Sequence, residues 1–147
     1  MTVRTVELYF EKPVEDLYIL NITPNVEKSV SESHIRNGIA TIFIGCSTAS
    51  ISTMKHEPHS VDEMHDILEK LAPSGIDYEH HKTCGDMFGL GGDINGKSHV
   101  RSALLGPSIT LPFKDGRLMV DKDQDVVLMD FDLIKRKRKV IVQIMGE

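Results

Sequence analysis

Residues 125–146 read DVVLMDFDLIKRKRKVIVQIMG, two apolar runs on either side of a basic block. Each run is too short for a helix of ordinary length and is rich in valine and isoleucine, which pack well on a pleated surface, so both read as strands. Immediately upstream, SITLPF (108–113), a turn at Lys114-Asp115-Gly116 and RLMV (117–120) continue the same pattern. The chain therefore closes on a run of strands. At its other end, VRTVELYF (3–10) and LYILNIT (17–23) carry β-branched and aromatic residues separated by Pro13 and acidic residues, and predict an opening hairpin. IATIFIGC (39–46) predicts a buried strand with a polar exit, STASIST, running toward Glu57.

Helices fall between these strands. Thr23 can cap a helix opened by Pro24, with Val26, Val30 and His34 at spacings of four and a stop at Asn37-Gly38. The clearest periodicity lies over 60–71, where Ser60 and Glu63 form a capping-box pattern and Val61, Met64, Ile67, Leu68 and Leu71 share one face. Pro73 ends it. A third, shorter helix opens near Ser98 and stops at Gly106. Two or three helices set among many strands predict an α+β fold: one compact domain over 1–147 with a mostly antiparallel or mixed β-sheet.

Composition bounds the function. A chain of 147 residues with 40% hydrophobic and 27% charged content is large enough to bury one real core. Seventeen Lys+Arg against 22 Asp+Glu leave a net charge of -5, which disfavours nucleic acid or an anionic membrane as a general partner. There is no apolar stretch of about 18 residues and the start MTVRTVELYF lacks the regions of a signal peptide, so a cytoplasmic protein is expected. Cys46 and Cys84 show no CxxC spacing and indicate neither a disulfide framework nor a cysteine zinc cage.

Residues 80–99, HHKTCGDMFGLGGDINGKSH, hold three histidines around five glycines. Such a backbone can turn sharply and aim several N–H groups at an anion, yet the spacing is neither GxxxxGK[ST] nor GxGxxG. It reads as a surface loop or as the wall of a site. His80 and His99, with the carboxylates Glu57, Asp86 and Asp93, are of the type that holds zinc or magnesium; His59, His65 and His81 read as surface polar residues. Cys46 ends an apolar strand and reads as a small core residue rather than a nucleophile. KRKRK (135–139) reads as a solvated turn with charged strand ends, with Arg138 left open.

STASISTMKHEP, YEH, DINGKSHVRSALLGPSITLPFKDGRL, Gln124 and VVLMDFD followed by KRKRKVIVQIMGE together resemble the YjbQ-like family, also called the secondary thiamine-phosphate synthase family. The resemblance runs from about residue 38 onward and is most specific at Asn95-Gly96, Ser98-His99 and LLGPS. It implies a compact α+β domain assembled as a homotrimer, with a site at or near subunit boundaries. Glu57, His80, Asn95, His99, Gln124, Asp130 and Arg138 fall on the family's polar positions, and Ser47-Thr48 on its Ser/Thr pair. The activity implied is a weak thiamine-phosphate synthase, joining a pyrimidine diphosphate to a thiazole phosphate.

By this resemblance Glu57, His80, Asn95 and His99 are the candidate catalytic groups. Ser47, Thr48, Lys97, Gln124, Asp130 and Arg138 are the candidate binding groups, and His80, His99 and Glu57 the candidate ligands of a divalent metal. Many relatives have His where Cys46 and Lys97 stand, and Thr-Trp where this chain has Lys122-Asp123, which bears on metal ligation and on stacking of a flat ring. Expulsion of diphosphate calls for charge neutralisation at the leaving group, which Lys97 and Arg138 can supply. The same groups suit a metal-dependent hydrolase of a small phosphorylated or amide substrate, and a non-catalytic trimer that binds a small ligand is the third reading.

Overall fold

The computed structural model describes residues 1–80 and 95–147. Strand β8 (Arg136–Gly146) organises it, because its alternation sends Val140, Val142 and Ile144 inward and Lys137, Lys139, Ile141 and Gln143 outward. Antiparallel partners flank it: β1 (Thr2–Lys12) on one side, with Val6 opposite Val142, and β3 (Gly38–Ile44) on the other, with Ile42 opposite the same valine. Strands β5 (Ser108–Lys114) and β6 (Arg117–Leu118) extend the sheet in the order β1-β8-β3-β5-β6.

A second sheet has the order β2-β7-β4, from Tyr18–Asn21, Asp125–Asp130 and Ala49–Met54. Its central strand β7 is buried on both faces. Val126 and Leu128 meet Ile42, Ile44, Val140 and Val142 of the large sheet, and Ile22 with Val26 and Val30 of α1 (Thr23–Glu32) join the same core. Val127 and Met129 point the other way and pack with Leu68 of α2 (Pro58–Leu71). Helix α3 (Gly96–Leu105) lies beside β4, where Ser50 Oγ donates to the Ser102 carbonyl at 3.1 Å. The α+β class with a mostly antiparallel sheet is thus realised as two stacked sheets with three helices among the described residues. No helix among them is long and apolar enough to cross a membrane.

Several local expectations are corrected. The two opening strands do not form a hairpin: β1 pairs with β8 and β2 with β7, in different sheets. The apolar pattern locates both strands but not their partners, because Pro13 and its neighbours carry the chain across the sandwich instead of turning it back. Helix α1 starts at Thr23 without a side-chain cap, and the Thr23 hydroxyl donates to Asn21 Oδ1 at 2.6 Å. It ends at Glu32, and Gly38 opens β3. Helix α2 begins at Pro58, so no capping box forms and Ser60 Oγ donates to Glu57 Oε1 at 3.3 Å. STASIST is mostly strand β4, not a polar exit. In the basic block, Arg136–Lys139 belong to β8, leaving Lys135 in the turn.

Gly38 and Gly146 face each other across β3 and β8. A Cβ at Gly38 would stand 2.0 Å from the Met145 carbonyl oxygen, and one at Gly146 2.0 Å from that of Asn37. The close approach lets Glu147 bond Asn37 in both directions, N–H to carbonyl at 3.0 and 2.9 Å, which pins the chain's last residue to the start of β3.

Candidate functional site

β7 ends at Asp130 and β8 begins at Arg136, so residues 131–135 step from the small sheet to the large one. That step brings two alternating pairs together: Asp130 and Asp132 from the end of β7, Arg136 and Arg138 from the start of β8. Period-two geometry puts both members of each pair on one side. Arg138 is 8% exposed, Asp130 0% and Asp132 1%. The guanidinium donates through Nε to Asp130 Oδ2 and through Nη2 to Asp130 Oδ1 at 2.9 Å, Asp132 Oδ2 at 3.0 Å and Thr48 Oγ1 at 2.9 Å. Thr48 passes its own proton to Asp132 Oδ2 at 2.9 Å. Arg136 Nε reaches the same oxygen at 3.0 Å.

Two buried carboxylates facing two guanidinium groups balance in charge, as burial demands. Burial works against the charge on Arg138, but the hydrogen bonds and charge of Asp130, with Asp132 behind, raise its pKa further above the ordinary value. Burial likewise pushes the Asp132 carboxyl up, and the hydrogen bonds from Thr48, Asn95 and Arg136 outweigh it, so its pKa is lowered. Asp132 is thereby held as the anion.

The network continues into α3. Asn95 precedes the helix, its carbonyl accepting from the Ser98 and His99 amides at 2.9 and 3.3 Å. Ser98 Oγ donates to the Phe131 carbonyl at 2.6 Å and fixes the first turn against the β7–β8 step. The Asn95 amide nitrogen donates to Asp132 Oδ1 at 3.2 Å, which leaves its oxygen as acceptor for His80 Nε2 at 3.1 Å. This arrangement assigns the His80 proton to Nε2. The His80 and His99 rings lie edge to face, centroids 4.4 Å apart at 64°. Desolvation, then the neighbouring His80 charge, lowers the His99 pKa, with Asp132 and the Ser47 backbone opposing. His99 is therefore a neutral imidazole at neutral pH.

A cavity of about 710 Å³ opens on this network, lined by Thr48, Asn95, His99, Asp132, Arg136 and Arg138. Cys46 and Ser47 line it too, beside the apolar Phe43, Ile44 and Pro107. Cys46 is half-buried and also packs against the core, so the core reading accounts for only part of its surroundings.

Of the residues singled out in the sequence, Ser47, Thr48, His80, Asn95, His99, Asp130 and Arg138 come together here. Three others are placed elsewhere. Glu57 stands at the start of α2, accepting from Ser60 and pairing with Lys55 at 3.3 Å. Lys97 is buried, its ammonium donating to Asp16 and, at 2.8 Å, to Ser74 Oγ. Gln124 Nε2 donates to Thr53 Oγ1 at 3.3 Å, before β7. Asp86, Asp93, His81, Cys84 and the four glycines between 85 and 92 lie outside the described residues.

Among the described residues no three His, Cys, Asp or Glu side chains gather as a metal would require. Two imidazoles are adjacent, but Asp130 and Asp132 spend their oxygens on arginine, threonine and asparagine, and Glu57 belongs to another element. The described residues alone do not fit a divalent-metal centre. Asp132 and Arg136 are the site residues that sequence reasoning misses, although the alternations DFD and RKR carry the signal.

These features define an α+β protein of two stacked sheets with a buried aspartate–arginine cluster and, beside it, a histidine pair of which His99 lines the cavity. The UPF0047 protein YjbQ-like family matches residues 10–147, and the chain belongs to that family. A UPF0047 protein of Methanocaldococcus jannaschii is 32% identical over 132 residues, covering 88% of this chain and 86% of the relative. One from Archaeoglobus fulgidus is 27% identical, covering 90% and 94%. Among solved structures, a YbjQ-like protein of unknown function from Sulfolobus solfataricus superposes with a TM-score of 0.87 at 25% identity, covering 99% of both chains. A yjbq/upf0047 family protein from Clostridium acetobutylicum gives 0.81 at 27%, covering 95% and 99%.

Proposed function

We propose that this chain binds a small phosphorylated substrate in the cavity beside His99 and acts as a thiamine-phosphate synthase-like transferase. The observation that carries the reading is the convergence of Thr48, Asn95, His99, Asp132 and Arg138, far apart in sequence, on one cavity, with His80 bonded to Asn95 beside them. In the reaction, the C–O bond between a pyrimidine methyl group and diphosphate breaks, diphosphate leaves with the electron pair, and a thiazole nitrogen forms the new C–N bond. Such a step needs a preorganised polar pocket more than a strong base.

Arg138 is the strut of that pocket, its Nε and Nη2 spent on holding Asp130, Asp132 and Thr48 in place. Arg136, whose side chain is 40% exposed, is the cation that the cavity wall presents to the leaving group. His99, neutral and desolvated, is the group that can accept or return a proton, and Asn95 orients it through His80.

A homotrimer belongs to the same proposal. The outward face of the large sheet lines up Val3, Met145 and Ile39 and, beyond the row of Thr5, Gln143 and Thr41, Ile141 and Phe43. Val3, Ile39 and Phe43 are 38% exposed or more, and Phe43 also reaches the cavity. A subunit covering that face would stand at the edge of the site.

The test is incubation of the purified chain with the pyrimidine diphosphate and the thiazole phosphate, with and without magnesium or zinc, followed by mass-spectrometric detection of thiamine phosphate. Product that disappears in His99→Ala supports the transferase. Phosphate release from single precursors or simple phosphoesters, without coupled product, favours the hydrolase that the same pocket could house.

A further inference from the structure

A separate groove of about 470 Å³ lies between the end of β1 and the start of β8, lined by Glu11, Lys12, Pro13, Lys135, Arg136 and Lys137. Four cations and one carboxylate surround it, in a chain whose net charge is -5. Like charges gathered in a concavity repel one another and raise the local potential for anions.

Among the described residues, neither of the two outer lysines is spent on an acid. Lys137 rests its ammonium 5.0 Å from the centroid of Tyr9, and the ion pairs of the neighbouring basic residues belong to Arg136, Arg138 and Lys139. Lys12 forms the floor. It is 3% exposed, and its ammonium donates to the Pro13 and Glu15 carbonyls at 2.9 and 2.6 Å. Carbonyl dipoles hold the ammonium in position, and Asp130, Asp132 and Glu15 are close enough to act on its charge. Arg136 joins the two concavities, because it lines this groove and the His99 cavity alike.

We propose that the groove is a second anion subsite, which takes a phosphate at the far end of a ligand whose reacting end lies beside His99. The inference rests on the reading of that cavity as a site for a phosphorylated small molecule, and it narrows the substrate to one bearing, or paired with, a second anionic group. A transfer between a diphosphate ester, which loses its diphosphate, and a phosphate ester, which keeps its phosphate, brings two such groups together, and two cavities bridged by one arginine match that need. The acidic balance of the whole chain argues for a small anion over a polyanionic backbone.

Inorganic pyrophosphate is the probe, titrated calorimetrically into the full chain at low salt, against Lys135→Gln/Lys137→Gln and, separately, His99→Ala. Both lysines are at the surface, so the double variant keeps its fold, checked by its thermal midpoint. The expected result is pyrophosphate binding that weakens about tenfold or more in the double variant and with added salt, and is retained in His99→Ala. Absence of binding at millimolar pyrophosphate, or equal affinity in the double variant, overturns the subsite. So does tighter binding of a short single-stranded oligonucleotide than of pyrophosphate, lost in the same variant, which would make the groove a nucleic-acid contact. Because binding is read without turnover, failure of the synthase assay leaves this result standing, and the reverse also holds.

Discussion

Arg138 and Asp130 belong to different sheets and are joined by two hydrogen bonds, Nη2 to Oδ1 at 2.9 Å and Nε to Oδ2, with Asp130 wholly out of contact with water. The pair ties the last residue of β7 to the third residue of β8 and sets the end of the sandwich on which the cavity opens. Removing one partner strands a buried charge, which costs about 3–5 kcal/mol. Asp130→Asn is expected at the low end, because Asp132 remains 3.0 Å from Nη2. Urea unfolding checks it, and a loss below about 1 kcal/mol would show that the fork is not the strut described.

The facing glycines give a second prediction. Gly38→Ala or Gly146→Ala drives a methyl group into a backbone carbonyl, with no flexible side chain to yield. The two strands must part, and a loss of about 2 kcal/mol or more is expected from overpacking of this kind. Thermal unfolding of either variant, next to Gly75→Ala where nothing lies within 4 Å, separates the steric cause from a general cost of losing glycine.

Acid sensitivity has a specific origin in Glu69. Its carboxylate accepts the Ser74 amide at 2.7 Å, the Ser74 hydroxyl at 2.8 Å and Arg101 Nη2 at 2.7 Å. The Ser74 backbone and side-chain bonds, with Arg101 behind them, hold its pKa down at about 2 from 4.5. A lowered carboxyl pKa contributes stability that is fully present above about pH 4.5 and is lost as pH falls toward 2. In Glu69→Gln the pH dependence over that window should flatten. Denaturant midpoints at pH 6 and pH 3 measure it, and equal drops in variant and parent would place the acid sensitivity elsewhere.

His99 should titrate below the ordinary value of 6.5, since desolvation and then the charge of His80 lower it. Removing His80 takes away the second cause, so His80→Ala is expected to raise the His99 midpoint in an NMR titration of the imidazole protons. An unchanged midpoint means the edge-to-face pair is not electrostatically coupled.

Much of the fold is legible in the amino-acid sequence. The apolar runs locate nearly every strand, and the helix expected over 60–71 starts only two residues earlier, because Pro58 at the first position initiates it and makes Ser60 unnecessary as a cap. Pairing is less legible: a strand's own pattern gives its faces but not its neighbour, so the first two strands suggest a hairpin that neither sheet contains. Within the site, the family resemblance points to Thr48, His80, Asn95, His99, Asp130 and Arg138, and these meet in space. Lys97 stands two residues from His99, yet on a helix that spacing turns a side chain to another face, where Asp16 and Ser74 hold it. Asp132 and Arg136 are legible through strand alternation.

One measurement bears most directly on the claim that these residues form a single ligand site. Backbone amide shifts of the labelled chain should be followed while the pyrimidine diphosphate is added. The expected result is a set of saturable shifts at Ser47, Thr48, Asn95, His99, Asp132 and Arg136. Shifts confined to the surroundings of Glu57 and Gln124, or none at millimolar ligand, would contradict it.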